Sequence, residues 1–236
     1  MPVELKFHSH DFEETVRQTL AIFDRPVFDT DAERLETLDC DFWFDEEDCQ
    51  TLRAFCNLRV LDIEGGSWLL PAISSLSHLM ELYLIGGDDE SGVDFRYFQS
   101  LKELSTLMVS GGAYSGMNLC HLESLAELTN LTDLRLHEFG NVDLKPLENM
   151  PWLKRLFCGY ANTVENVEVI RKLVQLESLE LVDFEVENLG FVDVLSPEME
   201  LCLGGLTIKQ PYDLKQLERF TKRDLYENTV AGVYVP

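Results

Sequence analysis

Residues Leu131–Cys158 read LTDLRLHEFGNVDLKPLENMPWLKRLFC, and this stretch decides the fold. It opens on L-x-x-L-x-L (Leu131, Leu134, Leu136) and returns to the same pattern at Leu153, Leu156 and Cys158. In the L-x-L portion the two apolar side chains point to one side of a short strand and the residue between them to the other. Leu147, Met150 and Leu153 then follow at steps of three, the rhythm of a helical or 3₁₀ turn with one face packed inward. One strand and one turn of this size cannot bury their own leucines, so the pattern demands further copies stacked beside it.

The copies are present. L-x-x-L-x-L, with conservative exchanges, begins at Leu35, Leu58, Leu79, Leu104, Leu131, Leu153, Leu176 and, in degraded form, Glu198, at intervals of 21–27 residues. Apolar residues at steps of three lead into it, as in Leu52/Phe55/Leu58, Ile73/Leu76/Leu79, Phe98/Leu101/Leu104 and Ile170/Leu173/Leu176. Strands stacked about 4.8 Å apart give a parallel sheet over a continuous leucine core, with the turns on the outer side. About eight such strands span roughly 35 Å as a curved α/β solenoid.

These residues resemble the leucine-rich repeat family from about Leu35 to Leu206. DLKPLENMPWLKRL (Asp143–Leu156) is similar to the D-I-x-P-L-x-x-L-x-x-L linker of the bacterial internalin-type subclass. The stretch before the first repeat is similar to the short helical cap that opens many such bacterial proteins. Its rhythm at Phe12, Val16, Leu20 and Phe23 predicts a helix with Ser9 as N-cap. The resemblance implies a right-handed solenoid that binds protein. One departure stands out. The family's asparagine, three residues after the last leucine of the motif, is replaced by Trp43, Gly66, Gly87, Gly112, Phe139, Ala161, Phe184 and Leu206. With no asparagine ladder, the backbone groups at that bend need other partners.

An open solenoid exposes its core at both ends, which predicts one structural domain with caps: 1–34 at the start, repeats over 35–206, and 207–236 at the end. PYDLKQLERFTKRDLYENT reads as an amphipathic C-terminal helix with Leu214, Leu217, Phe220 and Leu225 inward, and VAGVYVP as a small added strand. The Gly- and Asp-containing stretches between Gly86 and Phe95 and between Gly111 and Asn118 read as loops.

Composition narrows the function. The 236 residues hold 43 Asp plus Glu against 19 Lys plus Arg, a formal net charge of −24. That balance excludes backbone binding to nucleic acid and docking by a basic face on an anionic membrane. Of this charge, residues 1–100 carry −15. The N-terminus shows no apolar signal core, and no apolar run reaches the ~20 residues of a membrane span. The six cysteines have no C-x-x-C pair and no regular spacing, the mark of free thiols in a reducing compartment, so a cytoplasmic location is expected. Cys40 and Cys158 occupy inward leucine positions and are expected to be inert, and Cys202 falls in an exposed column under the C-terminal cap.

Strand residues that face away from the core define the candidate site, since repeat proteins bind partners there. An acidic zone (Asp39, Asp41, Asp62, Glu64, Glu81) lies at the N-terminal end, with Asp39/Asp62 and Asp41/Glu64 predicted as adjacent like charges. Tyr83, Ile85 and Met108 form an apolar centre, and Arg135, His137, Arg155, Phe157 and Tyr160 a mixed zone. Other chemistries are weaker. His8 and His10 lack a third metal ligand, and Asp88, Asp89, Glu90 and Asp94 lack the spacing of a calcium loop. Asp133, Arg135 and His137 suggest a polar relay without an adjacent nucleophile. The expectation is a non-catalytic, monomeric scaffold with no metal or cofactor, binding a protein partner, basic at one end, on its concave face. Alternatives are an acidic inhibitor or antidote of a basic enzyme, a host-directed effector by analogy, and, remotely, a hydrolase.

Overall fold

The computed structural model describes residues 1–86, 92–111 and 116–235. A single parallel sheet runs through it, its strands adjacent in chain order: β1 (Thr37–Trp43), β2 (Val60–Gly65), β3 (Glu81–Gly86), β4 (Thr106–Ser110), β5 (Asp133–His137), β6 (Arg155–Gly159), β7 (Ser178–Val182), β8 (Glu200–Gly204) and β9 (Lys222–Tyr226). Equivalent motif positions pair in register, for example Leu107↔Leu134, Leu134↔Leu156 and Leu156↔Leu179. A second sheet of short strands follows the bends after β5 to β9, from Asn141–Asp143 to Asn228–Val230, and closes with antiparallel Val233–Val235, while Val93–Asp94 and Leu119–Cys120 pair separately.

The steps of three become backbone geometry. Leu128 N–H donates to the Leu125 carbonyl and Leu131 N–H to the Leu128 carbonyl, and the same pairs recur at Leu76/Ile73, Leu101/Phe98, Met150/Leu147 and Leu173/Ile170. The apolar residues are thus the donors and acceptors of successive i→i+3 turns, and each turn aims one more side chain inward. Every inward member of these series is buried, from Leu52 to Leu195. The core is one continuous cluster from the N-terminal helix to Phe220.

Helix α1 (His10–Leu20) starts as predicted, with the Ser9 side chain accepting from Phe12 N–H. It stops earlier than predicted. Ala21 adopts the left-handed conformation, Ile22 turns inward, and Phe23 is 73% exposed. In the degraded repeat Glu198 is exposed and Met199 takes the inward role.

The C-terminal segment differs most from expectation. No amphipathic helix forms there. Asp213 caps a 3₁₀ turn, Leu214–Arg219, and the chain then enters β9 as a ninth strand in register with β8. Leu217 and Phe220 are fully buried as a step-of-three pair, so the segment continues the repeat rhythm. Arg223 stands where earlier repeats place a leucine, pairing with Leu201, and donates to the carbonyls of Phe220 and Glu218. A charged outermost strand, KRDLY, discourages further strands from adding to this edge. The small last strand, Val233–Val235, is present.

The ninth repeat also holds the residue the others lack. Asn228, three positions after Leu225 and only 4% exposed, donates from Nδ2 to the Leu203 carbonyl and accepts at Oδ1 from Leu206 N–H. At the bends after β5, β6 and β7 backbone meets backbone: Glu138 N–H reaches the Gly159 carbonyl, Tyr160 N–H that of Val182, and Asp183 N–H that of Gly204. Glu138, Tyr160, Asp183, Gly205 and Glu227 all take positive φ at this point, one after each strand from β5 to β9. Of these only Gly205 is a residue type that suits the conformation without steric cost.

Candidate binding surface on the concave sheet

The middle column of outward-facing residues forms as the motif requires. Asp39 pairs with Asp62, Asp62 with Tyr83, Tyr83 with Met108, Met108 with Arg135, and Arg135 with Phe157. In the flanking columns Val60↔Glu81, Glu64↔Ile85 and Ser110↔His137 are neighbours. The acidic zone is therefore joined through an apolar centre to the mixed zone on one continuous surface.

Asp39 and Asp62 are adjacent like charges, as predicted. Burial, and then the Asp39 charge, hold the Asp62 carboxyl above the usual carboxylate range. The Asp41/Glu64 pair does not form. β1 bulges between Cys40 and Trp43, so Glu64 pairs with Trp43 instead. Asp41 is turned toward helix α1, where it lines a shallow depression with Asp11, Glu14 and Gln18. The bulge brings forward an aromatic residue that the repeat pattern did not mark: Trp43 is 45% exposed and packs edge-on against Trp68, centroids 5.7 Å apart. Its occupation of the missing-asparagine position was the available signal.

In the centre the Tyr83 hydroxyl donates to Glu81 at 2.9 Å, and burial together with this carboxylate pushes its pKa up. The mixed zone is organised by Asp133, which is 5% exposed. Its Oδ1 accepts from Arg135 Nε at 3.2 Å and its Oδ2 from Arg155 Nε at 2.7 Å. The Asp133–His137 relay is absent, because both Asp133 oxygens are held by arginines. His137 instead stacks on Phe157, and its Nε2 has no hydrogen-bond partner among the described residues. Tyr160 stands 48% exposed at the rim, its ring 6.4 Å from that of Phe157. Glycine makes room for these rings. A Cβ on Gly204 would lie 2.1 Å from Tyr226 Cζ, so Tyr226 covers Gly204 on the same face.

The remaining candidates separate. His8 lies 3.5 Å from Asp45, while His10 turns to Asp11 and Glu14, so the two histidines do not converge. His8, Asp45 and Glu47 place their ligand atoms within 4.8 Å of one another on the surface. Asp88, Asp89 and Glu90 lie outside the described residues, and Asp94 is paired with Arg96. Burial pushes the Cys40 and Cys158 thiols up to about 12, and Cys202, half-covered, up to about 11. All six cysteines are free thiols.

No family model matches the chain, and no curated protein is similar in sequence. Solved structures are similar in fold. Internalin C2 from Listeria monocytogenes superposes with a TM-score of 0.71 at 16% identity, covering 97% of each chain. A leucine-rich repeat protein from Leptospira interrogans gives 0.58 at 18% identity over 84% of this chain and 55% of its own length. The plant peptide hormone receptor RGFR1, in complex with RGF2, gives 0.53 at 15% identity over 79% of this chain and 34% of the receptor. The fold is a leucine-rich repeat solenoid of the internalin-like type. No helix among the described residues is long and apolar enough to cross a membrane.

Proposed function

We propose that this protein is a non-catalytic interaction scaffold that binds a protein partner on the concave sheet. One observation carries the reading: Tyr83, Met108, Arg135 and Phe157 follow one another across β3–β6, each only partly buried. Large apolar and aromatic side chains set outside a leucine core on consecutive strands serve solubility poorly and anchor interfaces well. The acidic end, where burial and then the Asp39 charge hold the Asp62 carboxyl above the usual carboxylate range, favours a partner that brings Lys or Arg to it. The same observation supports the narrower reading of an acidic inhibitor that neutralises a basic enzyme.

The test is affinity capture with the wild type and a Tyr83→Ala/Phe157→Ala variant of unchanged circular dichroism. The proposal expects at least one partner retained by the wild type and lost by the variant. Equal recovery of every partner by both proteins contradicts it. For that partner, Kd must rise as salt goes from about 50 to about 500 mM if the acidic zone is a main contact.

A further inference from the structure

We propose that Arg135 and Arg155 form a carboxylate-binding fork, and that the bound segment lies across the strands with a basic group over Asp39/Asp62 and a carboxylate over the two arginines. This rests on the reading of the concave face as a protein-binding surface and assigns that partner its chemistry and its placement.

The fork is built from below. Asp133 sits almost wholly buried and accepts one Nε–H from each arginine, one on its own strand and one on the next. Each guanidinium is thereby anchored through Nε, and its terminal nitrogens have no hydrogen-bond acceptor among the described residues. Both side chains remain about half exposed. Two guanidiniums over one carboxylate give the cluster itself a charge of about +1, which the Glu177 charge acting on Arg155 partly offsets, so it matches a carboxylate better than a doubly charged phosphate. Within strands β1–β8 these are the sole Lys or Arg residues, in a chain of net charge −24. A cation pair placed and fixed in so acidic a molecule is not needed for solubility, and arginine is the side chain whose planar fork suits a carboxylate. Met108 on one side and Phe157, stacked on His137, on the other are the neighbours of Arg135 in register, so that arm of the fork has apolar flanks, while Arg155 stands between Asp133 and Ser178.

Geometry sets the spacing. Asp62 on β2 lies three strands from Arg135 on β5 and four from Arg155 on β6, roughly 14–19 Å at about 4.8 Å per strand. An extended segment covers that distance in about four to six residues. The partner segment therefore carries Lys or Arg, then three to five residues of apolar character over Tyr83 and Met108, then a carboxylate. The carboxylate comes from an Asp or Glu side chain or from a chain terminus.

The experiment pans the full-length protein against two random twelve-residue peptide libraries, one with free C-termini and one with C-termini fused to the carrier. The proposal expects enriched peptides to pair a basic residue with a carboxylate four to six positions away. Enrichment in both libraries identifies a side-chain carboxylate, and enrichment of the free-terminus library alone a C-terminal one. Converting that carboxylate to an amide in a synthetic peptide must raise Kd at least about tenfold, with the protein unaltered. An Asp133→Asn/Arg135→Gln/Arg155→Gln variant, which removes the buried charge together with its partners, must lose the same discrimination. Peptides that bind but lack the spaced carboxylate, or whose amidation raises Kd by less than that tenfold, overturn the fork. If those peptides still fail to bind Tyr83→Ala/Phe157→Ala, the concave-face reading stands without it. No enrichment, or enriched peptides indifferent to both variants, overturns the two together.

Discussion

His137 and Phe157 lie ring on ring across adjacent strands, with centroids 4.0 Å apart and planes 12° from parallel. Phe157 belongs to the middle column and reaches sideways over the next because residue 159 is glycine: a Cβ there would sit 2.8 Å from Phe157 Cζ and 3.1 Å from the Val182 carbonyl oxygen. Three residues on two strands thus set the shape of the mixed zone, and the imidazole reports on it.

Burial beneath the stack, and secondarily the Arg135 charge, lower the His137 pKa, with Glu138 opposing them. Gly159→Ala displaces the Phe157 ring, with a cost in stability of about 1–3 kcal/mol for forced repacking. It moves the His137 pKa back toward the ordinary value of about 6.5. NMR titration of His137 Cε1–H checks this, and an unmoved pKa in a folded variant refutes the stack as its cause. The unfolded chain takes up the proton first as pH falls, so the contribution is present above about 6.5 and is lost as pH falls through the lower folded value. Phe157→Ala flattens that part of the stability profile.

Acid sensitivity at the N-terminal cap rests on another pair. Asp31 accepts from both terminal nitrogens of Arg25 at 2.7 Å and from Phe28 N–H at 3.0 Å. The Arg25 hydrogen bond chiefly, then the Phe28 backbone bond, hold the Asp31 carboxyl down to about 2 against the cost of burial. Its folded value lies below its unfolded one, so its contribution is complete above about 4 and is lost as pH falls toward 2. Asp31→Asn lowers Tm at pH 7, and its Tm converges with that of wild type near pH 2. A constant Tm difference between pH 7 and 2 contradicts the assignment.

Asn228 is the second structural test. Asn228→Ala leaves the Leu206 N–H and the Leu203 carbonyl without this partner and costs about 1–3 kcal/mol, read as a shift in urea midpoint. Phe220→Ala, in the ninth repeat's core, costs about 3–5 kcal/mol. If residues 207–236 were a dispensable tail, both changes would be silent.

The repeat was legible because two periodicities coincided, and every leucine they marked from Leu52 to Leu176 is buried. The ninth repeat was not, because its motif reads F-x-x-R-x-L: Arg223 in a leucine slot breaks the pattern and makes the segment look like a charged helix. Its asparagine carries no signal of its own, because only the repeat register gives Asn228 its place. The outward columns were legible wherever strands keep their register, which is why Tyr83, Met108, Arg135 and Phe157 fall in line. They failed at Asp41, where the bulge adds residues to one strand alone and no hydrophobic signal announces it. Asp133 was visible as a strand residue, but its burial beneath two arginines is a tertiary fact.

Thiol chemistry offers a simple check on burial. Cys56 is exposed, whereas Cys40 and Cys158 are buried with thiols pushed up to about 12. In the native protein at pH 8, iodoacetamide labels Cys56 first, and Cys40 and Cys158 only after denaturation. Peptide mass spectrometry reads the order, and rapid native labelling of Cys158 contradicts its placement in the core.

The concave-face proposal is tested most directly by photo-crosslinking in cells, with a photoreactive amino acid placed singly at Met108, at Phe157 or at Val174. Val174 is exposed on the turn ahead of β7, away from the sheet face. A shared crosslinked partner is expected at Met108 and Phe157, and none at Val174. Crosslinks at Val174 with none at either sheet position would place the interface on the other side of the solenoid and contradict it.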